Sequence, residues 1–224
     1  MPPVAELQGV SKTFGSFVAV RNLTLTLDAG SATVILGENG AGKSTLLRLL
    51  AGLSAPTFGK LAVLGAPPEQ QRGRIAYMSH APMLYDELSA LENLTYFARL
   101  HAQAGDCACT GSPEMALRAV NLDPKLPRPV GQYSQGMRQR TSLARVLMAD
   151  PELLLLDEPF SNLDVLSAQH IVDLLADFLT WPLKNGARRS IILTTHQAHL
   201  AQSLATLTLT MQRGGLLSAV HAAA

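Results

Sequence analysis

The residues best suited to chemistry form a glycine-rich segment, GENGAGKST, at positions 37–45. It fits G-x-x-x-x-G-K-[ST] and lies between a strand-like apolar run and a leucine-rich run with helical spacing, the context of a phosphate-binding loop. Glycines let successive backbone N–H groups point at phosphate oxygens, and the following helix adds the positive end of its dipole. A glycine-rich turn without a ligand is the alternative. The residues predicted to surround a nucleotide are Gly37, Glu38, Asn39, Gly40, Ala41, Gly42, Lys43, Ser44 and Thr45.

Within this loop, Lys43 is predicted to reach the terminal phosphates of ATP and the Ser44 hydroxyl to bind Mg²⁺. Such a loop needs a carboxylate partner for the metal, and Asp157 closes the apolar run ELLLLDE at 152–158. The neighbouring Glu158 is predicted to orient or deprotonate an attacking water. The alternative is that Asp157 and Glu158 have no catalytic role and simply end a strand at the solvent-exposed surface.

His196 ends a similar apolar run, SIILTTH, at 190–196. The ends of parallel strands face the ligand crevice of an α/β sheet. A neutral imidazole at this position is therefore predicted to bridge the water, the γ-phosphate and the carboxylate of Glu158. A histidine that simply lies on the surface is the alternative.

Strand-like and helical segments alternate around these motifs. Four further segments are typical of strands: 22–28, where leucine alternates with threonine, and the short apolar runs 31–37, 60–65 and 74–79. The leucines of 42–53 have helical spacing, whereas 84–150 is mostly helical and interrupted by loops rich in proline and glycine. The pattern predicts one α/β body, made of 1–83 and 151–224, with a helical insertion between them.

Composition excludes several classes of protein. The 18 Lys and Arg residues nearly balance 17 Asp and Glu, so we expect no nucleic-acid partner, which would require a clustered basic face. No run approaches the roughly 20 apolar residues of a membrane helix. The first ten residues lack the pattern of a signal peptide. Cys107 and Cys109 suit neither a zinc site nor a disulfide framework and are predicted to be reduced thiols in a loop.

The segment YSQGMRQRTSLARVLMADPELLLLDEPFSNLD, residues 133–164, is similar to the signature, second acidic motif and D-loop of ATP-binding-cassette (ABC) ATPases, in unbroken order. With the phosphate-binding loop and TTH at 194–196, the resemblance covers nearly the whole chain. It implies a single P-loop NTPase domain over 1–224, with a mostly parallel RecA-like α/β core. An N-terminal antiparallel β subdomain and a helical signature subdomain at 84–150 would complete it.

The resemblance also implies partners. Two copies, or one copy and a related ATPase in a pseudo-dimer, would close on ATP and Mg²⁺ and drive transport through separate integral membrane permease subunits. The ATPase would then sit at the cytoplasmic face of the plasma membrane. The surface that contacts the permease is expected near His80 and residues 81–105. Its apolar candidates are Met83, Leu84 and Tyr85, with ordinary core packing as the alternative.

The same resemblance assigns roles to residues at the interface of the pair. The γ-phosphate of ATP bound to the opposite subunit would be held by Ser134, Gln135 and Gly136. Asp164 would reach across the interface between the two copies. Phe14, in KTFG, matches the aromatic residue that stacks on adenine, with ordinary core packing as its alternative. The family signature usually reads Leu-Ser-Gly-Gly-Gln; here it is Tyr-Ser-Gln-Gly-Met, so Gln135 needs room for a side chain near the nucleotide.

His80 stands where the family has a glutamine that senses the Mg²⁺-bound nucleotide. An imidazole nitrogen is a poor ligand for Mg²⁺, so His80 is expected to act through a water molecule or by a hydrogen bond to the attacking water. A turn residue of no consequence is the alternative. Together with LDEPF at 156–160 and LTTHQ at 193–197, this histidine resembles the ATPase subunits of the haem exporter of c-type cytochrome maturation. Haem export is therefore the cargo that the resemblance favours.

Three other functions stay open. The first is the ATPase of another efflux system, for a drug or a polysaccharide. The second is a non-transport relative acting on DNA or ribosomes. Chromosome-type relatives insert a long coiled coil, whereas only about ninety residues without sustained heptads separate the phosphate-binding loop from the signature here. Ribosome-type relatives carry two cassettes, against one expected here, and the near-neutral net charge disfavours both. The third is a nucleotide-binding regulator without turnover, which the presence of Glu158 and His196 disfavours.

Overall fold

The structure is a computed structural model that describes residues 3–104 and 111–222, so the predicted thiols Cys107 and Cys109 lie outside the described residues. In chain order, the strands of those ranges are β1 (Ala5–Phe14), β2 (Phe17–Leu27), β3 (Ala32–Leu36), β4 (Phe58–Val63), β5 (Ile75–Met78), β6 (Leu153–Asp157), β7 (Ser190–Thr194), β8 (Leu207–Gln212) and β9 (Gly215–His221). The α-helices are α1 (Lys43–Leu50), α2 (Ala90–Ala104), α3 (Pro113–Ala119), α4 (Gln135–Met148), α5 (Val165–Thr180) and α6 (Ala198–Ala201). Single 3₁₀ turns lie at Pro68–Gln70, Arg72–Arg74 and Val130–Gln132.

The larger sheet has the strand order β5-β6-β7-β3-β8-β9, in which β9 is antiparallel to β8 and every other pair is parallel. Strands β6 and β7 are buried at every residue, because helices or the second sheet cover both faces. Since successive side chains of a strand point to opposite faces, Leu154 and Leu156 join the core beneath the helices α4 and α5. Leu153 and Leu155 join the other core, with α1 and the smaller sheet.

The smaller sheet is antiparallel, in the order β2-β1-β4. The Leu-Thr alternation of 22–28 predicts the second half of β2 correctly, and Leu23 and Leu27 are buried. The sequence pattern did not predict β1, because its pairing register shifts between Leu7 and Val10, where Gly9 has a φ of 61°. Such a bulge breaks the period of two that identifies a strand.

The predicted helical segment contains α2, α3 and α4, which lie between β5 and β6 in the chain. Their apolar faces meet around the buried side chains of Leu94, Leu117 and Leu143. The predicted fold class is therefore confirmed, with a mainly parallel core sheet, an antiparallel sheet and a helical part. None of the helices described has the length and apolar character needed to span a membrane.

Candidate nucleotide-binding site

A cavity of about 710 Å³ opens at the edge of the larger sheet where β3, β5, β6 and β7 end. These four strands are parallel, so the loops that follow them meet at one edge, where α/β sheets bind ligands. The structure brings together there most of the predicted residues. The cavity is lined by Phe17, Ala19, Gly37, Glu38, Asn39, Gly40, Ala41, Gly42, Lys43, Ser44, Thr45, His80, Asp157, Glu158, Ser161 and His196.

The loop at 37–45 wraps around the side chain of Lys43, which opens α1 and is 7% exposed. Lys43 Nζ donates to the carbonyl oxygens of Gly37 at 2.6 Å and Glu38 at 3.1 Å, so its ammonium lies inside the loop. Gly42 has a φ of 100°, and a Cβ there would approach the carbonyl oxygen of Ala19 to 2.3 Å. Only glycine fits this position, because β2 passes directly behind the loop.

The carboxylate of Asp157 is 3% exposed and lies beneath the first turn of α1. Its Oδ1 accepts hydrogen bonds from the hydroxyls of Ser44, at 3.0 Å, and Thr194, at 2.7 Å. The hydroxyl of Tyr77 lies 3.5 Å from Oδ2. Burial, and then the negative charge of Asp157, raises the pKa of the Tyr77 phenol, which keeps that hydroxyl protonated. A carboxylate and an alcohol at hydrogen-bond distance form the hard oxygen donor set that Mg²⁺ prefers, so Ser44 and Asp157 fit a metal.

Glu158 and His196 form a pair at the cavity wall. His196 Nδ1 lies 2.9 Å from Glu158 Oε2, and the backbone N–H of His196 donates to the same oxygen at 3.3 Å. The Glu158 side chain is 14% exposed, whereas that of His196 is 62% exposed. A carboxylate held in this way can accept a proton from a water molecule, and the role of Glu158 as a base remains a prediction.

The backbone of Glu158 is left-handed, with a φ of 56°. For a residue with a side chain this conformation costs about 1–2 kcal/mol, so neighbouring groups must hold it. Glu158 N–H donates to the carbonyl and hydroxyl oxygens of Thr194 at 3.1 and 3.2 Å. Thr194 therefore supports both acidic residues. Thr194 was not predicted as a site residue, and its position opposite Asp157 follows from the parallel register of β6 and β7.

His80 lies in the loop that follows β5 and lines the cavity beside the phosphate-binding loop. Ser79 Oγ donates to the carbonyl of Ala81 at 2.6 Å, and Ser142 Oγ of α4 donates to that of Pro82 at 3.0 Å. These bonds hold the loop on both sides of the histidine. The predicted location of His80 agrees with the structure, and its role remains a prediction.

Phe14 is not among the residues that line the cavity, and its stacking role remains a prediction. Phe17 lines the cavity instead and is 60% exposed. The reason is the strand order, because β2, which begins at Phe17, lies against the phosphate-binding loop, whereas β1 is one strand farther away. The exposed ring of Phe14 lies under Lys12 Nζ, 5.1 Å from its centroid.

The signature residues lie outside this cavity. Ser134 caps α4, with its Oγ accepting from Met137 N–H at 3.2 Å, and Gln135 is exposed. A Cβ at Gly136 would come within 2.9 Å of the carbonyl oxygen of Asn162, so the signature and D-loop are in contact. Within one chain, these residues form a separate surface.

Asp164 belongs to that surface and caps α5 by accepting from Ser167 N–H at 2.9 Å. Hydrogen bonds from that N–H and then from the Ser167 hydroxyl lower the pKa of Asp164, so it stays ionised. Of the three candidate apolar contacts for a permease, Met83 and Tyr85 are 61% and 46% exposed. The side chain of Leu84 is partly buried and packs against the helical core.

The family model described as ABC transporter matches residues 20–161 of this chain. The chain belongs to the ABC transporter family. It is 36% identical over 219 residues to the Nod factor export ATP-binding protein I of Rhizobium johnstonii, covering 96% of this chain and 68% of that protein. It is also 36% identical over 211 residues to the taurine import ATP-binding protein TauB of Burkholderia pseudomallei, covering 92% of this chain and 78% of that protein.

Solved structures of ABC cassettes share the fold of this one. The dimeric structure of MJ0796, a bacterial ABC transporter cassette, superposes with a TM-score of 0.84 at 21% identity, covering 98% of this chain and 99% of that chain. A second dimeric structure of the MJ0796 cassette, in a post-hydrolysis state bound to ADP and Pi, gives a TM-score of 0.81 at 22% identity, with the same coverage. At these identities, the likeness shows the fold alone.

Proposed function

We propose that this ABC cassette hydrolyses ATP and powers transport through separate membrane subunits. One observation carries the proposal: a single cavity joins Lys43 inside a phosphate-binding loop, the Ser44–Asp157 contact and the Glu158–His196 pair. Cation, metal ligands and base are the parts that phosphoryl transfer to water requires. A regulator that only binds nucleotide would not need a base such as the Glu158–His196 pair.

ATP binding would use the loop and Lys43. The ammonium, now bonded to the carbonyls of Gly37 and Glu38, is near enough to exchange them for phosphate oxygens, and the first N–H groups of α1 face the same space. Mg²⁺, when bound, neutralises charge on the phosphates. Ser44 and, through water, Asp157 are the residues that would hold it.

Hydrolysis would use Glu158 and His196. Oε2 of Glu158 is oriented by two groups of His196, so the carboxylate can take the proton of a water aligned with the γ-phosphate. The imidazole is 62% exposed at the cavity wall and can contact the transferred phosphoryl group. His80 lines the same cavity and would hydrogen-bond that water.

Two copies would complete each site. Ser134, Gln135 and Asp164 are exposed on a surface away from their own cavity, where a second nucleotide-loaded cassette can meet them head to tail. Val165 and Leu166, beside Asp164, are 80% and 83% exposed and would be covered by that copy. The dimeric state described for MJ0796 supports this arrangement.

Membrane permease subunits would dock beside the His80 loop and so keep the cassette at the cytoplasmic face of the plasma membrane. Met83 and Tyr85 extend from that loop, and the Tyr85 ring stacks edge-on against Tyr96 with centroids 5.0 Å apart. Leu100 on the same helix α2 is 42% exposed. This apolar and aromatic surface suits the apolar face of a partner helix.

For cargo we propose haem, exported for c-type cytochrome assembly. His80 and the LDEPF and LTTHQ segments support this choice. Another efflux cargo is the second candidate, supported by relatives such as the fluoroquinolones export ATP-binding protein of Mycobacterium tuberculosis, 38% identical over 190 residues. Haem itself would contact the membrane subunits.

The first test is phosphate release from ATP by the purified chain, alone and with its co-purified membrane subunits in lipid. We expect release only when Mg²⁺ is present, because Asp157 and Ser44 act through the metal. Haem should stimulate the complex, whereas a fluoroquinolone should leave its rate unchanged. Turnover that persists in EDTA would contradict the proposed chemistry. Stimulation by the fluoroquinolone but not by haem would indicate that the cargo is a drug and not haem.

Phe17→Ala should weaken binding of ATP by about 1–3 kcal/mol, the usual loss when a base no longer stacks on an aromatic ring. Phe14→Ala is the matched control, because it removes the same ring from the facing strand but not from the cavity wall. Titration calorimetry with ATP in Mg²⁺ measures both affinities. A larger loss in Phe14→Ala would return the stacking role to that residue.

A further inference from the structure

Gln139 is a buried polar residue of α4 that does not line the nucleotide cavity. It is 4% exposed, and its Nε2 donates to the backbone carbonyl oxygen of Glu158 at 2.9 Å. An amide side chain is rarely buried without a hydrogen-bond partner. Here that partner is the main chain of the residue that carries the proposed base.

The Glu158 backbone needs such support because its left-handed conformation persists only where neighbouring groups hold it. The N–H of Glu158 donates to Thr194 of β7. The carbonyl of Glu158 accepts from Ser161 N–H at 3.2 Å and from Gln139. Of these three contacts, two come from residues in the sheet or in the loop that follows Glu158. Within residues 3–104 and 111–222, the Gln139 bond is the one of these three that connects Glu158 to the helical part of the molecule.

The same face of α4 makes a second connection one turn later. Ser142 is fully buried and donates to the carbonyl of Pro82, two residues after His80. Helix α4 begins immediately after Ser134, the residue expected to meet the second nucleotide. One rigid helix thus joins the signature surface to the two loops that bear Glu158 and His80.

We propose that Gln139 is a positioning residue for hydrolysis: it maintains the left-handed backbone of Glu158 and makes the direction of the carboxylate depend on where α4 lies. The inference rests on the proposed ATPase function. Engagement of Ser134 by a nucleotide-loaded partner would fix α4 and, through Gln139, hold Glu158 toward the attacking water. Without that bond, ATP would still bind, and the base would no longer be aligned.

Gln139→Leu tests this, since leucine has a similar volume and no donor. We expect kcat to fall by about tenfold or more, the scale of losing one buried hydrogen bond at the reacting centre. The KM for ATP and its affinity should stay within about twofold, because Lys43 and the phosphate-binding loop are untouched. The assay is phosphate release by the full chain, with calorimetric ATP binding in parallel.

Thr141→Val is the matched control. Thr141 is fully buried in the same helix, and its hydroxyl donates only to the carbonyl of Met137 one turn earlier, at 2.9 Å. It should change the unfolding temperature without changing kcat. If Gln139→Leu does not fold, Gln139→Met, with an unbranched side chain, is assayed in its place, and the same loss of kcat is expected.

The outcomes separate this inference from the function on which it rests. A wild-type chain that releases no phosphate overturns the proposed function itself. A wild-type chain that turns over ATP while Gln139→Leu keeps its kcat overturns the positioning role alone. A loss of kcat equalled by Thr141→Val, or a parallel rise in KM, also overturns it, because either would report general damage to α4.

Discussion

Glu158→Gln should reduce kcat for ATP hydrolysis by about 10²–10⁴-fold, the usual contribution of a positioned general base. The amide keeps the shape of the side chain and its contact with the His196 N–H, but it cannot take a proton from water. Lys43, Ser44 and Asp157 are unaffected, so ATP and Mg²⁺ should bind as tightly as before. Phosphate release and calorimetric ATP binding measure the two properties separately.

The same variant tests the pairing of subunits. With hydrolysis blocked, ATP should hold two copies together, and the apparent mass in size-exclusion chromatography with ATP and Mg²⁺ should double. Glu114→Gln, a change at an exposed carboxylate in the first turn of α3, is the control and should retain wild-type turnover. Full activity in Glu158→Gln would assign the base elsewhere, and a monomer at saturating ATP, alone and with the permease subunits, would refute the paired site.

Lys43→Met should weaken ATP affinity by about 10²-fold or more and abolish measurable turnover. The ammonium provides charge-assisted contacts to phosphate that an uncharged side chain of similar length cannot replace. Its removal also leaves the carbonyls of Gly37 and Glu38 without their donor, so the loop itself should loosen.

Calorimetric titration with ATP gives the affinity of this variant. Lys60→Met, at an exposed position of β4, removes the same charge far from the cavity and should bind ATP normally. ATP affinity in Lys43→Met equal to that of the control would show that the loop does not hold the phosphates.

Much of the site was predictable because its motifs are local in the sequence. Residues 37–45 are contiguous, and their glycines, lysine and serine specify a loop and the start of a helix without help from the rest of the chain. Asp157, Glu158 and His196 were predictable by one further rule, that parallel strands present their ends at the same edge. The core strands were predictable because continuous apolar runs imply burial on both faces.

Elements with an interrupted pattern were not predicted. The bulges of β1 break its alternation. The strands β8 and β9 were not predicted either. The sequence of β8, LTLTMQ, alternates as clearly as the second half of β2, so that strand was missed although its pattern is intact. Strand β9 is exposed along almost its whole length and has no buried face. An exposed strand of this kind forms because a neighbouring strand pairs with it. The sequence of one segment alone does not predict that pairing.

The sequence by itself therefore determined the family, the phosphate-binding loop and the identities of the acidic residues and His196. Only the tertiary structure decided that Phe17 rather than Phe14 lines the cavity, and that Thr194 and Gln139 hold the backbone of Glu158. The reason is physical. A sequence motif consists of residues that are neighbours along the chain, whereas the contacts of Phe17, Thr194 and Gln139 depend on the strand order and on how α4 packs against the sheet. Both of the latter are set by packing between segments far apart in sequence.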